Sequence, residues 1–281
     1  MTIKRALGVA SGLALTAGFA LSALPAQAAP IDAAACEAAV SWKLSSPARY
    51  INTADHEAVI GVSDAKRTLT IKAPAVCNVE AGDRWQVFSA GGYVSAEGTF
   101  TAGEAAAGED SDVIYVEKPG SNSVAGDEKN VRVRINDAES ATGTGWEVDT
   151  DDVGDLVLLR RTEFKSGSSA DRVNFSPEPY VDTVKASGKL VRANWSTGKY
   201  VGYEGRNAHI QTRTDVVGSA YGDVGEISTG AGGAFVFTFK VSDPGAPAPG
   251  EPFIGRGLYN GNATSGGTVS TGDRVEPADP S

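Results

Sequence analysis

A chain of 281 residues carrying a formal charge of −10 is repelled by nucleic acid and by anionic membrane surfaces, so neither is an expected partner. Two histidines and two cysteines are too few to furnish a zinc centre, and a Ser-His-Asp triad would have only His56 or His209 to build on. The 35 acidic residues leave weak divalent-cation binding open, but their abundance makes any chosen carboxylate pair uninformative about glycoside hydrolysis.

The chain begins with Lys4 and Arg5, an uncharged apolar run from Ala6 to Leu24, Pro25, and then Ala26-Gln27-Ala28. That order predicts a secretory signal peptide over residues 1–28, cleaved between Ala28 and Ala29. The rest of the chain has no second long apolar run, so no membrane span is expected after cleavage. Export places Cys36 and Cys77 in an oxidising compartment, and with no third cysteine one disulfide is the single intrachain pairing. Closing that loop adds about 4 kcal/mol in the chain-entropy model.

From Asp32 to Val40 the chain is alanine-rich and predicts a short helix. Thr53 to Glu57, which holds His56, reads as a polar loop. Thr68-Leu69-Thr70-Ile71 and Val131-Arg132-Val133-Arg134-Ile135 alternate apolar with polar residues, the period of a half-buried strand. Asp112 to Val116 and Leu156 to Leu159 read as strands buried more deeply. Between them, the alanine-rich stretch Gly103 to Gly108 is bracketed by glycines and reads as a loop. The acidic run Asp149 to Asp155 offers Asp149, Asp151, Asp152 and Asp155 as candidate calcium ligands. It departs from an EF-hand loop at two places: Val153 stands where the third oxygen ligand belongs, and Arg160 stands where the closing glutamate belongs. A solvated acidic turn is the favoured reading.

Lys165-Ser166-Gly167-Ser168-Ser169-Ala170 is flexible by composition and marks a boundary ending at Asp171. It divides a first β-sandwich domain, residues 29–165 with the disulfide, from a second domain, residues 171–276. The second shows about seven candidate strands, near Arg172, Leu190, Val201, Ile210, Phe237, Leu258 and Val275, the spacing of a two-sheet sandwich. Phe235, Phe237 and Phe239 share one face of one strand. Asp243 to Pro252 is proline-rich and reads as a long loop, and Pro277 to Ser281 as a frayed end. The fold class expected is therefore all-β, two β-sandwich domains after a signal peptide.

Ser176-Pro177-Glu178-Pro179, Gly188 to Trp195 with its Arg-Ala-Asn-Trp ending, and Tyr200 to Arg213 with Tyr-Val-Gly-Tyr-Glu-Gly together resemble a module of secreted actinobacterial proteins. Tyr259 to Gly267 and Ser270 to Val275 resemble its closing segment. The resemblance implies an immunoglobulin-like sandwich and an exported location, and some proteins with the module are labelled calcium-binding. This chain departs from it in the Asp243 to Pro252 insertion and in Leu258 and Tyr259, where tryptophan and phenylalanine are usual.

No catalytic residue and no cofactor is assigned. There is no Gly-x-Ser-x-Gly elbow. Trp195, Tyr200 and Tyr203 flank the Ser-Thr-Gly-Lys turn as candidates for ligand contact, with packing as the favoured role. The leading expectation is a non-enzymatic secreted protein, an extracellular or envelope-associated binding or structural module whose partner is an extracellular or cell-wall polymer. A calcium-binding extracellular protein ranks second and a secreted hydrolase third.

Overall fold

Alternation governs the first half of the chain. In the computed structural model, described for residues 30–45, 50–51, 54–121, 123–138, 146–150, 153–177, 183–246, 248 and 250–276, Val131–Asn136 buries Val131, Val133 and Ile135 and leaves Arg132 and Arg134 half-exposed. It lies inside a four-stranded antiparallel sheet in the order Val148–Thr150, Val131–Asn136, Arg84–Ser89, Ser95–Thr99. A three-stranded antiparallel sheet runs Ser41–Leu44, Ala65–Lys72, Glu109–Val116. In a third, Leu156–Arg160 lies between Glu57–Ile60, to which it is parallel, and Glu128–Lys129, to which it is antiparallel. Trp42, Leu69 and Ile71, Trp85 and Val133, and Ile60, Leu156 and Leu158 bring the three sheets onto one core. Burying each side chain of that size contributes about 1.5–3 kcal/mol before ordering costs. The signal segment with Ala28 and Ala29, the pair Asp151 and Asp152, Glu178–Pro179 and residues 277–281 lie outside the described residues.

The Cys36–Cys77 disulfide is formed, with both residues fully buried. It ties the helix Ala33–Glu37 to a helical turn at Ala75–Cys77. The N-terminal helix expected from composition is present, and the Asp32 side chain accepts a hydrogen bond from the Ala35 amide at its start. The stretch read as a loop at Gly103 to Gly108 is instead part of a helix, Ala102–Ala107. Thr101 and Glu104 form a reciprocal capping box there, and Gly108 closes the helix at φ 66°. Those three end signals outweigh the glycine at position 103.

The second half is a two-sheet sandwich, each sheet six-stranded among the described residues. Thr183–Asn194 is the spine of one sheet. Asn174–Pro177 and Thr162–Ser166 pair in succession along one edge, and Ala234–Lys240 and Lys199–Gly202 along the other. The facing sheet is built on Asn207–Thr214 and Phe253–Tyr259. Phe164, Phe175 and Phe239 from the first sheet meet Ile210 and Phe253 from the second. Phe253 takes Phe175 and Phe239 edge-on, with centroids 6.4 and 6.2 Å apart.

The expected boundary is corrected. Lys165–Ala170 is a hairpin within the second sandwich, with Lys165 opposite Ala170 and Ser166 opposite Ser169. Its serine- and glycine-rich composition supplies the turn, where Gly167 takes φ 58°. The chain passes from one core to the other between Leu158 and Phe164. The two halves also exchange elements. Tyr50–Ile51, from the first half, pairs with Gly267–Val269 and extends the second sandwich. Ala193 and Trp195, at the end of the second sandwich's spine, enter the first core. Among the described residues no helix is long and apolar enough to cross a membrane.

Candidate functional site

The turn after Asn194 sends its three flanking aromatics to three places. Trp195 is 2% exposed, and its indole N–H donates to the Ile60 carbonyl at 3.2 Å. Lys118 caps the Trp195 carbonyl at 3.1 Å. Tyr203 is 4% exposed and belongs to the second core. Tyr200 is half-buried at the junction of the halves. The candidates for ligand contact therefore form no shared exposed platform, and Trp195 and Tyr203 serve packing.

Tyr200 lines a junction cleft of about 190 Å³ together with Tyr50, Arg67 and Arg161. Arg161 pairs with Glu163 at 3.0 Å and with Asp171 at 3.8 Å, and Lys165 reaches Glu163 at 3.9 Å. Lys165 stands over the Tyr200 ring at 4.8 Å and Arg161 over the Tyr50 ring at 5.5 Å. Glu163 is buried, and Tyr200 hydrogen-bonds it. Burial, and then that hydrogen bond, raise the Tyr200 hydroxyl well above the usual phenol range; burial raises Tyr50 likewise. Arg161 and Lys165 each face a carboxylate, whereas Arg67 donates to the Lys66 and Val59 carbonyls, and together these contacts join the halves.

A second cluster lies beside Tyr203 and is composed differently. Arg192 and Arg206 stand over the Tyr203 ring, their guanidinium carbons 4.2 and 4.6 Å from its centroid. Arg160 stacks on Trp195 at 5.3 Å and is electrostatically coupled to Arg192 and Tyr203. Strand alternation separates the clusters, since consecutive side chains point to opposite faces: Arg161 takes the cleft side and Arg160 the Tyr203 side. Asn262 donates to the Tyr203 hydroxyl at 2.8 Å and Ser265 at 3.2 Å. Burial pushes the Tyr203 phenol up, but hydrogen bonds from Ser265, Asn262 and Tyr259 and the charge of Arg192 outweigh it and bring the phenol down to about 8.

The Tyr-Val-Gly-Tyr turn owes its glycine to close packing of backbones. A Cβ on Gly202 would lie 2.2 Å from the carbonyl carbon and oxygen of Gly232. That approach sets Tyr203 over the end of the sandwich.

Both histidines are engaged. His56, expected in a polar loop, stacks on Trp42 with ring centroids 4.5 Å apart and hydrogen-bonds the Trp42 carbonyl at 2.8 Å. His209 stands 3.5 Å from Asp223, whose other oxygen accepts from Gln211 at 2.6 Å. Among the described residues neither ring is hydrogen-bonded to a serine or threonine hydroxyl. Of the calcium candidates, Asp149 pairs with Arg134 at 3.1 Å and Arg132 at 3.7 Å. Asp155 is exposed in the turn before Leu156. Asp151 and Asp152 lie outside the described residues, and among the described residues no three His, Cys, Asp or Glu side chains gather as a metal site.

No protein-family model matches the chain, and no curated protein matches it. Solved structures overlap it weakly. A chicken contactin-1 fragment of fibronectin type III domains 1–3 aligns with 78% of this chain at 9% identity and a TM-score of 0.35, and the chain spans 65% of that fragment. A two-domain fibronectin type III segment of chicken tenascin aligns with 85% of this chain, and 98% of the segment, at 10% identity and a TM-score of 0.30. The human OSCAR ligand-binding domain aligns with 84% of this chain, and 97% of its own, at 12% identity and a TM-score of 0.26. Overlap at this level carries no argument about activity, and the all-β sandwich architecture rests on the sheets and cores described above.

Proposed function

We propose that the protein is a non-catalytic extracellular module in which two β-sandwiches, locked together, present a fixed surface to an extracellular or cell-wall polymer. The observation that carries this reading is Trp195, which leaves the spine of one sandwich and fills the core of the other. Binding modules gain from such rigidity, because a surface held in place loses little entropy on contact. The buried disulfide suits an oxidising compartment, and the predicted signal peptide and the resemblance of residues 171–276 to an exported module point the same way. The two imidazoles support the non-catalytic part: one is stacked and hydrogen-bonded, the other shares its carboxylate with Gln211.

The test is sedimentation of the purified chain with isolated actinobacterial cell wall, alongside a panel of ester, peptide and glycan substrates. Retention in the pellet that saturates with protein concentration, without turnover, supports the proposal. Turnover abolished by replacing one carboxylate or histidine overturns it, as does equal recovery from wall and from an inert polysaccharide resin.

A further inference from the structure

Arg160, Arg192 and Arg206 are an unusual gathering in a chain whose acidic residues outnumber its basic ones by 35 to 25. They come from three strands or turns far apart in sequence, and the fold brings them around two rings. All three are half-buried, so their charge is partly desolvated while solvent still reaches them. Among the described residues none of the three guanidiniums has an ion pair or hydrogen bond with a carboxylate. The junction cluster around Arg161 shows the contrast, for there the same residue type is matched by Glu163 and Asp171. Gathering three partly desolvated cations costs free energy through mutual repulsion and lost hydration, and ring stacking offsets only part of it.

We infer that Arg160, Arg192 and Arg206 around Tyr203 form a binding site for a doubly charged tetrahedral oxyanion, a phosphate or sulfate group, free or carried on a polymer. A guanidinium fork matches two oxygens of such a group at once. Three cations favour a dianion over a carboxylate, since each added negative charge gains from every guanidinium. The site does not rest on polymer binding: a chain that binds inorganic phosphate but does not sediment with cell wall keeps this inference and loses the other.

The experiment is isothermal titration of the full chain at pH 7 in chloride buffer of fixed ionic strength, with inorganic phosphate, sulfate, glycerol phosphate and acetate as separate probes. Saturable binding of phosphate or sulfate, at least tenfold tighter than acetate and weakened at least tenfold in R192Q and in R206Q, supports the site. Glycerol phosphate binding as well as phosphate assigns a monoester, as a polymer would present; its rejection assigns the free anion. Absence of binding by both phosphate and sulfate overturns the inference, as does binding unchanged in both variants or acetate binding equal to phosphate. If the variants do not fold, the wild-type chain decides by absorbance at 295 nm. A bound dianion opposes ionisation of Tyr203, so phosphate must move the lowest tyrosine midpoint, near 8, upward. A midpoint that phosphate and an equal ionic strength of chloride leave in the same place overturns the inference.

Discussion

Replacing Trp195 with alanine tests how the two sandwiches are joined. The side chain is 2% exposed, packs among first-core residues, and donates its indole N–H to the Ile60 carbonyl. Truncating a buried aromatic to alanine costs about 3–5 kcal/mol, the spread reflecting how far the cavity collapses. Here collapse is limited on one side, because Ala193 sits on a strand paired at both edges. The Ile60 carbonyl also loses a partner, which adds about 1 kcal/mol. We predict a total loss of about 4–6 kcal/mol. Trp195→Phe keeps most of the burial, forfeits the hydrogen bond, and loses about 1–2 kcal/mol. Urea denaturation followed by far-UV circular dichroism reads both. A loss below about 1 kcal/mol in Trp195→Ala refutes the reasoning, since the side chain would then not be holding the first core.

Three further outcomes follow. Gly202→Ala places a methyl 2.2 Å from the Gly232 carbonyl and costs about 1–3 kcal/mol in the same assay, whereas Gly198→Ala meets no atom within 4 Å and costs only what its φ of 62° imposes. The double variant Cys36→Ala, Cys77→Ala opens a loop with a sequence separation of 41 and lowers stability by about 4 kcal/mol, read by thermal unfolding beside a reduced wild-type sample. The tyrosines impose opposite pH trends. Tyr203, lowered to about 8 from 10.0, makes the fold more stable as pH rises from 8 to 10, because the unfolded chain then holds the extra proton. Tyr50, Tyr200 and Tyr259 are raised, so the stability they contribute is present below pH 10 and is lost above it, as the unfolded chain ionises first. Denaturation midpoints across pH 7–11 should rise and then fall; Tyr203→Phe should remove the rise and, because Tyr203 helps to raise Tyr259, also lessen the fall.

The parts of this fold that the sequence made legible are those fixed by local pattern. Val131 to Ile135 reads as a strand because every second side chain must be apolar to cover one core, and two cysteines in an oxidising compartment have a single way to pair. The helix at Ala102–Ala107 also has local signals, in Thr101, Glu104 and Gly108, against which the glycine at 103 favours a loop. Other features have no local signal. Tyr50–Ile51 is too short for a period, and only the facing strand Gly267–Val269 gives it a sheet. Trp195 was readable as a packing residue, yet nothing near it in sequence says that the core it fills is the other one. The three arginines lie 32 and 14 residues apart, and only the crossing of strands brings them to the same two rings.

A fixed binding surface requires the two sandwiches to behave as one body. Scanning calorimetry of the full chain tests this most directly. A single endotherm whose calorimetric and van't Hoff enthalpies agree is the predicted result, because Trp195 and Tyr50–Ile51 make each half incomplete without the other. Two resolved transitions, each reversible while the other half stays folded, would contradict it.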